Sequence, residues 1–253
     1  RDGAAAQYGS DAIAGVMNVV LKKNVGEWNI VTGVAGYYDK KFNTFQFRDN
    51  NDYLTARPID GVTQSFSINR GFNLGKKGGF INLSYDFLDQ GKTFRQAASS
   101  NIEDKDGLPT NTWRQGFGDG SMNSHGTMMN LELPIGNNGM KFYSFGGMNV
   151  KKSDAYAYTR NWSAKPNRFP ITSTGDVIFI RDIMFNSGSG DISYNPHIQA
   201  DIKDMSLAAG LTQTTSNGWN WDLSNTMGYN GFHYFGNGTF NASNIGNPQQ
   251  THF

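Results

Sequence analysis

Residues 1–23 read RDGAAAQYGSDAIAGVMNVVLKK, and the chain after them is built differently. Ala4, Ala5 and Ala6 favour a helical turn. Gly9 and Ser10 interrupt it, and Ser10 or Asp11 suits the cap of a second short turn through Ala14. Gly15 permits close backbone approach. From Val16 to Leu21 both faces of an extended chain are apolar, interrupted only by Asn18, which predicts a strand buried on both sides that ends at Lys22-Lys23. An ordinary α/β packing unit has the same pattern.

From Trp28 onward the period is two. Trp28, Ile30, Thr32, Val34 and Tyr38 share one face, against Asn29, Gly33 and Ala35. Val62 to Leu74 groups Phe66, Ile68, Phe72 and Leu74, with Arg70 as a blemish on the apolar side; snorkelling or a β-bulge would explain it. Phe80 to Leu88 sets Ile81, Leu83, Tyr85 and Phe87 against Asn82, Ser84 and Asp86. Thr127 to Leu133 sets Met129, Leu131 and Leu133 against Asn130 and Glu132. Met140 to about Lys151 is apolar on both faces, and Gly146-Gly147 weakens its pattern. Met205, Leu207, Ala209 and Leu211 oppose Ser206, Gly210 and Thr212. Trp219, Trp221, Leu223, Met227 and Tyr229 oppose Asn220, Asp222, Ser224, Thr226 and Asn230. This predicts about seven strands.

The connections alternate between long and short. Leu74–Gly79, Pro134–Gly139 and Thr215–Gly218 are short, and Asn138-Gly139 and Asn217-Gly218 are hairpin signals favouring positive φ. Asp39–Asp60, Phe94–Ser124 and Ser153–Asp204 are long and polar. An up-and-down transmembrane barrel, with short turns at one end and long loops at the other, produces this order. Trp28 and Tyr38 lie about ten residues apart on one face. Trp219 and Trp221 open the last strand, and Phe232, Tyr234 and Phe235 close it, as two aromatic girdles would. Cross-strand pairs in the core of a soluble β-protein are the other reading of these aromatics.

Composition agrees. Lys+Arg number 22 against 21 Asp+Glu, which gives no reason for a nucleic-acid partner. Mean hydropathy is −0.54, yet aromatics reach 13% and glycines number 31 among the 253 residues. A wall with one apolar and one polar face has this balance. No run approaches the roughly 20 apolar residues of a membrane helix. The chain has no cysteine, which removes disulfides, thiol catalysis and Cys-ligated metals. No Met-initiated signal peptide opens it, and its start inside a motif reads as an internal piece of a longer protein.

Arg1-Asp2-Gly3 followed by Gln7-Tyr8-Gly9-Ser10-Asp11-Ala12-Ile13-Ala14-Gly15-Val16-Met17-Asn18-Val19-Val20 closely resembles the end of the plug domain of TonB-dependent outer-membrane receptors. That family carries a Leu-Arg-Gly-like turn, a Tyr-Gly-Ser, a small-residue turn with Gly and a final Val-Ile-Asn-Ile-type strand ending in Lys. The likeness covers under a tenth of the chain, and the remainder resembles the family in layout. Asn217–Asn225 is also similar to stretches in long receptors of Bacteroidota-like bacteria. The resemblance implies residues 1–25 as the end of an α/β plug and residues 26–253 as the first part of a barrel of about 22 strands. It implies active uptake of a scarce siderophore-, vitamin- or oligosaccharide-like ligand across the outer membrane of a Gram-negative bacterium. Energy would come from the TonB complex, through a TonB box outside this sequence. Lipid and lipopolysaccharide would be its other partners. Arg1, Gly9, Ser10, Gly15 and Asn18 fall on the plug signature, where the role implied is plug folding and plug–barrel contact. Ala12-Ile13-Ala14-Gly15 is closer to the siderophore and vitamin form than to the Arg-Gly-Ala-Asn-Gly form of polysaccharide receptors.

No catalytic constellation stands out, so the expectation is a transporter without enzyme activity, cofactor or metal. His125, His197, His233 and His252 lack ligand spacing. Asp104-Lys105-Asp106-Gly107 begins like a calcium loop but lacks the later ligands. Gly188-Ser189-Gly190-Asp191 imitates part of a nucleotide fingerprint without the strand and helix it needs. Trp113, Arg114, Tyr156, Tyr158, Trp162 and Arg168 combine ring surface with cationic donors and are the ligand-binding candidates; loop packing and lipopolysaccharide contact are their other reading. A passive porin or adhesin barrel, and a secreted β-rich enzyme, are the alternative functions.

Overall fold

A computed structural model of the chain describes residues 19–38, 59–93, 118–163, 165–186 and 192–243. The protein is mainly β, organised as a seven-stranded antiparallel up-and-down sheet. Its strands are β1 (Trp28–Tyr38), β2 (Ile59–Leu74), β3 (Gly79–Gln90), β4 (Ser121–Ile135), β5 (Met140–Tyr156), β9 (His197–Thr214) and β10 (Asn220–Asn237), hydrogen-bonded in chain order. Between β5 and β9 lies a small sheet of β6 (Arg160–Asn161), β8 (Ile192–Tyr194) and β7 (Met184–Asn186), in that spatial order. The seven expected strands are all present, and most run longer than their apolar cores. The long segment expected from Ser153 to Asp204 shortens at both ends, because strands β5 and β9 pair from Tyr156↔His197 downward.

The register joins the alternation of separate strands into one face. Trp28 lies opposite Arg70, Arg70 opposite Leu83, and Leu83 opposite Met129. The same row continues through Gly146 and Leu207 to Met227. β5, apolar on both sides in sequence, resolves here: Phe142, Met148 and Val150 join the apolar face opposite Leu133, Thr127 and His125. Tyr143 falls on the polar face, where its hydroxyl donates to Asp222 over 2.8 Å. No second layer of described residues covers the apolar face. Even in central strands Leu83 is 43% exposed and Met205 44%.

The apolar band is inclined to the rows. Trp219 lies eight residues on the turn side of Met227, which shares the row of Trp28. At the other edge Tyr38 lies eight residues beyond Ile30, which shares the row of Tyr229. Eight residues of about 3.4 Å over six strand spacings of about 4.8 Å correspond to an inclination of about 43°. The ten residues from Trp28 to Tyr38, and from Trp219 to Tyr229, then span a band about 25 Å tall.

β2 passes through Arg70 with unbroken register on both sides, so no bulge rotates that side chain off the apolar face. The register shift falls instead between Ala35 and Tyr37, opposite Asp60–Thr63, where Gly61 has φ +59. Phe232 and Tyr234 do not share the face of Trp219 and Trp221. They pair with Ile202 and Ala200 on the polar face, and only Phe235 keeps the parity of Trp219 and Trp221.

Three short turns close one end of the sheet. Gly75, Gly78, Gly136, Gly139 and Gly218 take positive φ there. Asn138 and Asn217 do not, so the two Asn-Gly pairs form longer turns than the two-residue type their sequence suggests. The turns brace one another: Lys77 donates to the Gly136 carbonyl over 3.0 Å, and Gln213 to that of Asn138 over 3.0 Å.

Candidate functional site

The polar face carries a segment that belongs to no strand. Residues 19–27 run irregularly across it before entering β1. The Gly26 amide donates to the Gly71 carbonyl over 2.9 Å. Asn82 Nδ2 donates to the Asn24 carbonyl over 2.9 Å, and Asn130 Nδ2 to the Lys22 carbonyl over 2.9 Å. Lys23 meets Glu132 at 3.3 Å, and Lys141 meets the other oxygen of that carboxylate at 2.7 Å. Reading back from Trp28, the segment therefore crosses β2, β3 and β4 in turn. A Cβ on Gly71 would lie 1.9 Å from the Asn24 carbonyl oxygen, so the absence of a side chain there lets the segment approach. Asn69 and Asn82, each 3% exposed, hydrogen-bond beneath it.

The strand expected from Val16 to Leu21 is not formed over its described part. Val19 to Leu21 is irregular, and Val19 and Val20 are 71% and 82% exposed. Side chains and single carbonyls, not a β-ladder, hold residues 22–26 that follow. The plug-signature residues Arg1, Gly9, Ser10, Gly15 and Asn18 lie outside the described residues.

At the loop end a charged group ties three chain segments. Asp154 on β5 accepts from Lys92 over 2.8 Å and from His197 Nδ1 over 2.9 Å with one oxygen, and from Gln199 over 2.9 Å with the other. Lys92 also lies 4.3 Å over the Tyr156 ring, and that ring meets His197 edge-on at 4.6 Å. On the apolar face these groups lie on the loop side of Met148, Val150 and Met205. Burial pushes the Asp154 carboxyl up, but hydrogen bonds from Lys92 and Gln199 and the neighbouring positive charge outweigh it, so its pKa falls below the usual value. Burial and the Lys92 charge lower the His197 pKa, against the pull of Asp154.

Beyond this group the segment between β5 and β9 folds on its own core of Phe169, Ile180, Met184 and Tyr194, completed by Phe240 from beyond β10. Phe240 lies 4.6 Å from the Tyr194 ring and 6.2 Å from Phe169. Ser193 donates to Asn161 over 2.7 Å, and the Tyr194 hydroxyl donates to the Arg168 carbonyl over 3.2 Å. Burial raises the Tyr194 pKa.

The ligand candidates divide between these features. Tyr156 sits in the charged group, while Tyr158 is 57% exposed with the Arg160 guanidinium 6.0 Å over its ring. Trp162 packs edge-on against Phe169 at 5.6 Å, which gives it a part in the loop core. Arg168 is exposed at the end of a 3-10 turn, Pro166–Arg168. Trp113 and Arg114 lie outside the described residues, as do Asp104–Gly107, Gly188–Asp191 and His252. Among the described residues no group of three or more His, Asp or Glu is placed to hold a metal. His125 instead meets the Tyr85 hydroxyl at 2.8 Å. Sequence reading missed Asn24, Gly71 and Asn82, whose roles appear only when the entering segment and the sheet are seen together. Comparisons with protein-family models, characterised proteins and solved structures give no match.

Proposed function

We propose that the protein is part of a TonB-dependent outer-membrane receptor that takes up a scarce ligand through a plugged barrel. The observation that carries this reading is the course of residues 19–27. They are hydrogen-bonded across the polar face of β2, β3 and β4 before the first strand begins. In a barrel with its apolar face toward lipid, the polar face lines the interior, so this segment enters β1 from inside. A plug joined to the first strand requires such a course, and the plug-like motif stands directly before it.

The inclined band supports the membrane half of the reading. Its height of about 25 Å and inclination of about 43° agree with the apolar belt and strand tilt of outer-membrane barrels. β1 and β10 each lack a second partner strand among the described residues, and a sheet in lipid must close. Further strands therefore complete the barrel in this proposal. The loop core and the charged group stand at the ligand-facing end, where Tyr156, Tyr158 and Arg168 meet an incoming siderophore-, vitamin- or oligosaccharide-like molecule. The protein moves its ligand and performs no chemistry on it.

The test is uptake by cells that make the full-length protein, with and without collapse of the proton gradient. Loss of uptake on collapse, with the protein in the outer-membrane fraction, is the expected result. Uptake that survives collapse would make it a passive porin. Recovery of the protein in the soluble fraction without detergent would leave the β-rich enzyme.

A further inference from the structure

Arg70 stands on the apolar face without a polar partner. Its guanidinium carbon lies 4.6 Å from the Trp28 ring and 5.1 Å from the Phe72 ring. Its Nε is buried with no hydrogen-bond partner. Among the described residues the group makes no ion pair. Aromatic faces offset part of the cost of drying a guanidinium, but its donors still require an acceptor. Trp28, directly across the ladder from Arg70, marks the turn-side edge of the apolar band. One strand spacing along the inclined band sets Arg70 about 3 Å inside that edge, within reach of the headgroups for a side chain of its length.

We propose that Arg70, between Trp28 and Phe72, binds the phosphate of an anionic phospholipid in the leaflet on the turn side of the membrane. This rests on the membrane reading above. A planar guanidinium matches the oxygens of a phosphate with paired donors, and the two rings fix its plane. From that headgroup the acyl chains run toward the loops over Ile30, Ile68 and Phe66, which occupy the next rows of β1 and β2. A carboxylate on a strand pairing beyond β1 is a poorer partner. It would stand about two strand spacings, roughly 10 Å, from β2, with the Trp28 ring between. Nearby, a groove of about 720 Å³ lined by Leu74, Leu133 and Ile135 ends in Lys76 and Lys77. The unpaired charge of Arg70 itself favours an anionic headgroup over a zwitterionic one, whose own cation already neutralises the phosphate.

The experiment is native mass spectrometry of the full-length protein, exchanged from detergent into mixed micelles of phosphatidylglycerol and phosphatidylcholine in equal amounts. Wild type should retain phosphatidylglycerol at least about five-fold over phosphatidylcholine. Arg70→Gln should abolish the preference, and Arg70→Lys should keep part of it. Equal retention of both lipids by wild type would overturn the proposal without any variant, as would an unchanged preference in Arg70→Gln. A preference lost instead in Lys76→Gln with Lys77→Gln would move the site to the turn and overturn it as well. A protein that stays soluble without detergent and retains neither lipid defeats the membrane reading itself. Membrane-bound protein with no lipid preference defeats only the Arg70 site.

Discussion

Asn82 on β3 holds the carbonyl of Asn24 at 2.9 Å, at the level where the neighbouring strand has Gly71. The contact pins a segment with no secondary structure of its own to the polar face. A Cβ at Gly71 would collide with the Asn24 backbone, not with a movable side-chain tip. Gly71→Val should therefore lift residues 22–26 off the sheet. In the full-length protein, proteolysis within residues 19–27 should accelerate while the sheet stays intact. Asn82→Leu removes the hydrogen bonds to both Asn24 and Asn69, at about 1–3 kcal/mol for each buried group left unsatisfied, and should act in the same direction. Unchanged cleavage in Gly71→Val would mean that the segment is not seated there.

Leu131 and Asn130 are adjacent in sequence and lie on opposite faces of β4. Leu131 pairs with Ile81 on the apolar face, and Asn130 donates to Lys22 on the polar one. In the proposed barrel Leu131→Arg puts a charge on the lipid face and should cost up to about 2–4 kcal/mol, the figure for the midplane. Asn130→Arg should cost less, because its face is polar. Denaturant unfolding of the full-length protein in detergent or lipid compares them, and equal costs would defeat the assignment of faces.

The charged group at the loop end should respond to pH in two steps. The His197 pKa is lowered in the fold from its ordinary 6.5. Its contribution is therefore present above about 6.5 and is lost as pH falls through that value toward the folded pKa. The Asp154 pKa is lowered from 3.8, so its contribution disappears at lower pH still, as the carboxylate protonates. The protection of backbone amides from hydrogen exchange at the ends of β5 and β9, taken relative to the intrinsic rate at each pH, should fall as pH drops below about 6.5. His197→Gln should flatten that first step and leave the second.

Phe169 is 3% exposed in the loop core and touches Trp162, Tyr194 and Phe240. Phe169→Ala should cost that unit about 3–5 kcal/mol. Phe240→Ala should also loosen the link between the two loops that meet there. Limited proteolysis should open residues 157–196 in both variants, with the seven-stranded sheet left intact.

On the proposed reading, in which further strands complete a barrel, these 253 residues expressed alone should not insert stably into lipid. Both β1 and β10 would expose backbone donors and acceptors to hydrocarbon, at several kcal/mol for each unsatisfied group. A protease-resistant, heat-modifiable species formed by this piece in detergent would contradict that expectation.

Six strands were legible because each reads apolar on one side alone, and register assembled those separate readings into one face. β5 was legible as a strand but its two faces were not, because Tyr143 and Phe145 on the polar face resemble Phe142 on the other. Only the pairing of Leu133 with Phe142 separates them. Phe232 and Tyr234 misled because aromatic identity suggested a girdle while parity assigned the opposite face. The entering segment left almost no signal, since it depends on single carbonyls. A carbonyl looks alike in every sequence. The loop core was invisible for another reason: Phe240 and Phe169 are remote in the chain and meet only after β9 and β10 return to the same end.

The contacts along residues 22–26 lie across three strands, not along one ladder. A pull on the chain ahead of Val19 would thus load them in series: first the Lys22 carbonyl on Asn130, then Lys23 on Glu132, Asn24 on Asn82 and Gly26 on Gly71. Bonds arranged this way peel one at a time, like a strip lifted from its end, whereas a β-ladder loaded along its length must rupture together. Each step is about the strength of one hydrogen bond, so a modest tension sustained over distance releases the segment. The sheet beneath, braced turn to turn by Lys77 and Gln213, keeps its shape.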